Sequence, residues 1–333
     1  MIEEIEIVDY KGFKNLKLEN LSQINIISGE NNIGKTALLE AFFIYESISF
    51  GNSILFRLNP FLSIAKNRDI TENRIKKYLR DVDFSVTINE FKININYKSY
   101  FDLTDTEKKI IKQQFNRDYD EFIVCYVNDD INMRPIDHMN VYPEDDNSEK
   151  SYINSSKPIN KKLVELYSTI QSKGLQLKFL TYLKLLDSDI EWIEPQLLDD
   201  EMLLRLNLNN PERSLVSSEL GEGTNRYIEI LCTLLSNTNG TVFIDEIENG
   251  IHYTKLYDTW KAIIEIVQQE NIQLFVTTHN LESIEALNEA SEAMNFDKIS
   301  SIKLQKDENN VIYPVVRNYS SFVATVDSGM DIR

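Results

Sequence analysis

Ser28-Gly29-Glu30-Asn31-Asn32-Ile33-Gly34-Lys35-Thr36 is the stretch whose reading decides the rest of the chain. It has the form G-x-x-x-x-G-K-T, and its flanks give that form meaning. Ile24-Asn25-Ile26-Ile27 before it is a short β-branched run suited to a buried strand. After it, from Thr36 to Glu46, Leu39, Phe42 and Phe43 recur at helical spacing with no Gly or Pro to interrupt. The loop is therefore predicted at a strand-to-helix junction, where backbone N–H groups and the positive end of the helix dipole converge and can cradle phosphate. Gly29 and Gly34 permit the turn and a close approach of backbone to the anion, and Asn31, Asn32, Ile33 and Ala37 complete the candidate cradle. Lys35 is expected to bridge the β- and γ-phosphates, and Thr36 to ligate Mg²⁺ through its hydroxyl.

At 333 residues the chain can bury a large core, as one elaborated domain or two. No apolar run approaches the ~18–20 residues of a membrane span. Met1-Ile2-Glu3-Glu4 is acidic where a secretory signal is basic, so a cytoplasmic protein without membrane contact is expected. Cys125 and Cys232 lie in apolar segments without C-x-x-C spacing, as buried thiols of a reducing compartment do. The formal net charge of −18 opposes broad attachment to nucleic acid. One local exception stands at 57–80, where Arg57, Lys66, Arg68, Arg74, Lys76, Lys77 and Arg80 face only Asp69 and Glu72. That island is either a polyanion contact or a solvated helix face.

In chain order, Ile2 to Val8 and Leu16 to Leu18 alternate as short strands around the turn Tyr10-Lys11-Gly12-Phe13-Lys14. Asp83 to Asn89 and Phe91 to Tyr97 predict a hairpin, Thr104 to Phe115 a polar helix, and Phe122 to Val127 a buried strand. Glu144-Asp145-Asp146 fits no calcium-loop spacing and is expected to face solvent. Asn160 to about Ile190 reads as helical, broken at Gly174, and Met202 to Leu208 as strand.

Thr241-Val242-Phe243-Ile244-Asp245-Glu246 is an apolar strand ending in two carboxylates, at the end of an open parallel sheet where ligands bind. Asp245 is expected to hold Mg²⁺ and Glu246 to orient and deprotonate the attacking water. Gln273-Leu274-Phe275-Val276-Thr277-Thr278-His279 is a second buried strand, ending in a histidine after an amphipathic helix bearing Leu256, Trp260, Ile263, Ile264 and Val267. Glu219-Leu220-Gly221-Glu222-Gly223-Thr224 precedes a helix with Tyr227, Ile228, Leu231, Leu234 and Leu235 on its apolar side, so the amides of Gly221 and Gly223 can bind phosphate.

Together these motifs resemble ABC-class ATPase heads of the SMC, RecF and OLD type, over residues 1–45 and about 215–333. The aromatic-basic turn at Lys11 resembles the amino-terminal turn of those heads, which implies that Lys11 reaches the phosphates or sugar. His279 resembles their switch histidine, implying a hydrogen bond to the γ-phosphate or the catalytic water. Glu219–Thr224 resembles a relaxed L-S-G-G-Q signature, with Gly221 where the family has serine and Glu222 where it has its first glycine. Glu248-Asn249-Gly250-Ile251-His252 stands in the place of the D-loop, leaving His252 either near catalysis or capping a turn. No glutamine stands at a clear strand end, so the Q-loop residue is unassigned.

The resemblance implies an α/β P-loop NTPase of the ABC-ATPase head type, with an amino-terminal β-subdomain and an inserted helical arm. Its division is expected at 1–130 for the first part of the head, 131–212 for the insertion and 213–333 for the second part. It further implies ATP and Mg²⁺ as cofactors and a homodimer or higher oligomer closing around ATP. The end of the chain is similar to that of standalone AAA-type ATPases related to OLD, without the Toprim nuclease domain. The expected role is the ATPase subunit of a prokaryotic anti-phage defence system that controls a separate effector such as a nuclease. A RecF-like repair ATPase that binds DNA directly, through 57–80, is the alternative, and a non-hydrolysing ATP-bound scaffold a second, opposed by the intact Lys35, Asp245 and Glu246.

Overall fold

The computed structural model describes residues 1–50, 83–89, 91–115, 118–127, 130–136, 151–330 and 332. The basic island at 57–80 and the acidic loop at 144–146 lie outside them.

Ile5–Tyr10 (β1) and Phe13–Leu18 (β2) pair antiparallel across Lys11 and Gly12, as the alternating pattern predicts. Ile24–Gly29 (β3) follows with every residue buried, and Lys35–Phe50 (α1) starts directly after the glycine loop. Asp83–Ile88 (β4) and Phe91–Ser99 (β5) form the expected hairpin, and β4 also pairs with β1. Asp105–Gln114 (α2) is started by Thr104, whose hydroxyl accepts from the Glu107 N–H while the Glu107 carboxylate returns to the Thr104 N–H. Glu121–Val127 (β6) and Asp130–Pro135 (β7) complete an antiparallel sheet of order β2-β1-β4-β5-β6-β7.

Tyr152–Ile153 (β8) enters the central sheet at its edge. Asn160–Ser172 (α3) and Gln176–Leu186 (α4) are separated at Gly174, which has φ +69°. The helical reading stops short of Ile190. Ile190–Leu198 (β9) is instead a strand, paired with Glu201–Leu208 (β10), which in turn pairs with Leu215–Val216 (β11). Glu222–Ser236 (α5), Thr241–Ile244 (β12), Tyr253–Gln269 (α6), Gln273–Thr277 (β13) and Leu281–Ala293 (α7) follow in alternation. Ile299–Lys306 (β14), Ile312–Arg317 (β15) and Tyr319–Asp327 (α8) complete the described elements.

The central sheet runs β15-β14-β3-β13-β12-β8, parallel except for β15. Alternation along β3 splits the interior into two layers. Ile24 and Ile26 face a core shared with Leu163, Phe179, Leu231, Trp260 and Leu287 of α3 to α7. Ile27 faces the other core, where Leu39, Phe42 and Phe43 of α1 meet Phe243 and Phe275 of the sheet and Ile5 and Ile7 of the antiparallel sheet. Helix α1 thus lies between two sheets, which is why it is apolar all round. The helices read from sequence as an arm, α3 and α4, pack with α5 and α6 in the first core. Their apolar faces, Leu163, Leu166, Tyr167 and Ile170 among them, are covered by the head itself.

Candidate active site

The carboxyl ends of β3, β12 and β13 meet at one place, and each delivers its predicted group there. Gly29 closes β3 at φ +140°, where a Cβ atom would stand 2.8 Å from the Leu304 carbonyl oxygen. Gly34 has φ +114°, with room for a Cβ only 3.0 Å from the Phe13 ring. Both positions are confined to glycine on conformation and on space. Between them Asn32 takes φ +62°, which an asparagine tolerates. Lys35, 8% exposed, donates from Nζ to the carbonyls of Gly29 at 2.7 Å and Glu30 at 3.0 Å. Burial pushes its ammonium down from the ordinary lysine range, against the pull of Glu246, Asp245 and Glu248.

Thr36 meets Asp245 across the junction, its Oγ1 lying 3.1 Å from both carboxylate oxygens. Thr277 of β13 donates to Asp245 Oδ1 at 2.6 Å and accepts the Glu246 N–H at 2.8 Å. Burial raises the Asp245 carboxyl above its usual range, while the Thr277 and Thr36 hydrogen bonds draw it down. A hydroxyl and a carboxylate facing each other are hard oxygen donors, so Thr36 and Asp245 fit Mg²⁺.

Glu246 sits at φ +51°, the left-handed region, and its Oε2 accepts from the Asn249 amide at 2.7 Å. His279 stands beside it, with Nδ1 3.8 Å from Glu246 Oε1 and 3.3 Å from Glu248 Oε1. Glu248, 7% exposed, also accepts the His279 N–H at 3.0 Å. Lys11 has φ +51° and its ammonium pairs with Glu40 of α1, one turn beyond Thr36. This brings the aromatic-basic turn to the phosphate-loop helix, already engaged by a carboxylate. His252 accepts from the Thr254 N–H and caps α6, which favours the turn-capping alternative. Cys125 and Cys232 are both buried, and neither is in a disulfide.

Gly221 and Gly223 are at the start of α5, Gly221 as its N-cap and Gly223 already inside the first turn. No side chain caps that helix, and a Cβ on Gly221 would meet nothing within 4 Å. The loop borders a cleft of about 460 Å³ lined by Leu186, Leu206, Leu220, Gly250, Ile251 and Lys255 among others, with no phosphate-loop residue.

A family model described as "AAA domain, putative AbiEii toxin, Type IV TA system" matches residues 24–285. The chain belongs to that family. The AAA-domain match spans both the phosphate loop and the β13 histidine. A curated relative, an ATP/GTP phosphatase of Helicobacter pylori (strain ATCC 700392 / 26695), is 22% identical over 94% of this chain and 95% of its own length. An uncharacterized protein of Methanocaldococcus jannaschii is 47% identical over 17% of this chain and 26% of its own length. Among solved structures, an SMC head described as bound to the C-winged helix domain of ScpA matches with a TM-score of 0.53 and 11% identity. The match covers 96% of this chain and 98% of that one. This AAA-family chain thus has the fold of the SMC ATPase head, an α/β P-loop architecture. None of the described helices is long and apolar enough to cross a membrane.

Three contributors escaped the sequence. Asn154 follows β8, beside β12, its carbonyl accepting from Arg226 and its Oδ1 from the Ser156 N–H at 3.1 Å; a two-residue strand gives no periodic signal. Glu248 read only as part of the D-loop. Arg226 lies among the apolar residues of α5, and only its position one turn after the glycine loop could have marked it.

Proposed function

We propose that the protein is a Mg²⁺-dependent ATP switch working as a dimer, with each ATP held between the phosphate loop of one copy and the signature-like loop of the other. The observation that carries this is the uncapped start of α5: Gly221 and Glu222 are exposed, no side chain caps the helix, and the loop borders a cleft that no phosphate-loop residue lines. Lys35 would exchange the Gly29 and Glu30 carbonyls for the β- and γ-phosphates, with main-chain amides from Gly29 to Ala37 around them. Lys11 would reach phosphate or sugar on leaving Glu40. Thr36 and Asp245 would hold Mg²⁺, which would supply positive charge to neutralise the phosphates. Glu246 would take the proton of the attacking water, and His279 would report the γ-phosphate.

The head is further read as the ATPase subunit of a prokaryotic anti-phage defence system, controlling a separate effector such as a nuclease. The family's description as a putative toxin of a Type IV TA system supports that context. The SMC head of similar fold, described with a second protein bound, supports a protein partner, as does a net charge of −18. In this scheme 1–130 and 213–333 carry the nucleotide chemistry, and α3 and α4 of the insertion pack against α5 and α6. Light scattering of wild type and Glu246→Gln, with and without ATP and Mg²⁺, tests the switch. A doubled mass for Glu246→Gln with ATP supports it, and an unchanged mass for both proteins refutes it.

A further inference from the structure

Arg226 takes no part in the scheme above, yet it is 1% exposed. A guanidinium at that depth is costly unless its charge and its donors are met. Glu229, one turn on, accepts from Nη1 at 3.2 Å and is itself bridged by Lys162 of α3 at 2.8 Å. The other contacts, made by the two terminal nitrogens, go to backbone, while Nε has no hydrogen-bond partner. Nη1 donates to the Asn154 carbonyl at 2.6 Å, and Nη2 to the carbonyls of Asp245 at 2.7 Å and Glu246 at 3.3 Å. One cation inside α5 therefore joins the exit of β8 to both carboxylate-bearing residues of the site.

Those carbonyls belong to a turn that needs holding. A non-glycine residue in the left-handed region persists only where its surroundings over-determine it, and Glu246 has φ +51°. Its N–H is held by Thr277, and its carbonyl by the Asn249 N–H at 3.0 Å and by Arg226 at 3.3 Å, so the peptides on either side of the residue are both fixed. The same turn is clamped to the segment after β8 by two further bonds. The Asp245 N–H donates to the Ile153 carbonyl at 2.8 Å, and Asn249, already on Glu246 Oε2, donates to the Ser155 carbonyl at 2.9 Å. Three consecutive carbonyls, 153 to 155, thus receive donors from Asp245, Arg226 and Asn249.

We infer that Arg226 is a positioning residue for hydrolysis: it holds the left-handed backbone of Glu246, and through it the aim of the carboxylate. Arg226 also sits one turn beyond Gly223, where an added Cβ would fall 2.2 Å from the Gly250 carbonyl oxygen, so loop and turn are in backbone contact. A displacement of the signature-like loop is therefore passed to Glu246 by two routes, the guanidinium and the Gly223–Gly250 contact. The inference rests on the reading of Glu246 as the base.

Arg226→Lys keeps a cation for Glu229 but loses the fork that reaches three carbonyls at once. The expected variant is folded and binds a fluorescent ATP analogue within about twofold of wild type, yet its kcat falls by about 100-fold, the scale of a small misplacement of a reacting group. In a Glu246→Gln background the same change adds no further loss, because the two act through one group. Should Arg226→Lys not fold, the paired change Arg226→Met with Glu229→Met removes both charges at similar volume and carries the same expectation. Wild-type turnover in either folded variant overturns the inference. So does a parallel fall of affinity, turnover and melting temperature, which marks a purely structural arginine. Wild-type turnover in Glu246→Gln alone sinks the base assignment; a dead Glu246→Gln beside an active Arg226→Lys sinks only the role of Arg226.

Discussion

Thr277→Val removes a hydroxyl and almost nothing else, at a position with no solvent exposure. The hydroxyl makes two bonds, donating to Asp245 Oδ1 at 2.6 Å and accepting the Glu246 N–H at 2.8 Å. Losing a hydrogen bond to a carboxylate costs about 2 kcal/mol, and leaving the turn's N–H without a partner adds about 1–2 kcal/mol. The valine methyl recovers less than about 1 kcal/mol by burial. The net expectation is a destabilisation of about 3 kcal/mol in urea titration of the nucleotide-free protein, with an unchanged m-value. Function should respond as well. The Thr277 bond is one of those that draw the Asp245 carboxyl down against burial, so its removal raises that carboxyl further. On acidification, Mg²⁺-dependent ATP binding should then be lost at a higher pH than in wild type, since a protonated Asp245 is a poorer ligand. A stability change under about 1 kcal/mol, with the pH dependence of binding unmoved, would refute the assignment of Thr277 as the support of both carboxylate residues.

Two further outcomes follow from the charged groups. Lys35→Met should leave the nucleotide-free protein as stable as wild type or more so, because burial disfavours the ammonium, and should abolish the thermal shift given by ATP; a lower melting temperature without nucleotide contradicts this. On α2, burial alone would raise Glu107, but bonds from Lys98, Tyr126 and Thr104 outweigh it and hold the carboxyl at about 2. Its contribution is therefore complete above about pH 4.5 and is lost as pH falls towards 2, roughly 3 kcal/mol in all. The stability gap between wild type and Glu107→Gln should close over that window, and a gap independent of pH excludes the ion pair as its source.

Much of the head was legible because its chemistry lies at strand ends flanked by strong patterns. β3 with its glycine loop, β12 with Asp245 and β13 with His279 each join an apolar run to a polar terminus, and all three meet as expected. What resisted reading was carried by tertiary context. β8 is two residues long and owes its existence to pairing with β12. β9 carries Glu191, Trp192 and Glu194 on exposed positions and Pro195 within it, so it shows neither clean alternation nor a fully apolar run. The helices α3 and α4 show their apolar faces in sequence but not what covers them; the partners are α5 and α6, some 40 to 100 residues later. Arg226 is silent in one dimension because the groups it serves are carbonyls, which every residue has.

The claim that one nucleotide site is built from two copies is tested most directly by mixing two defective proteins. Lys35→Met lacks a working phosphate loop, and Gly221→Glu, where space is open, places a negative charge on the signature-like helix start. Each alone should hydrolyse no ATP. Mixed in equal amounts, they should recover roughly a quarter of wild-type turnover, the share of intact composite sites left by random pairing of two copies. Activity of Gly221→Glu on its own, or a mixture no more active than its parts, would contradict the account.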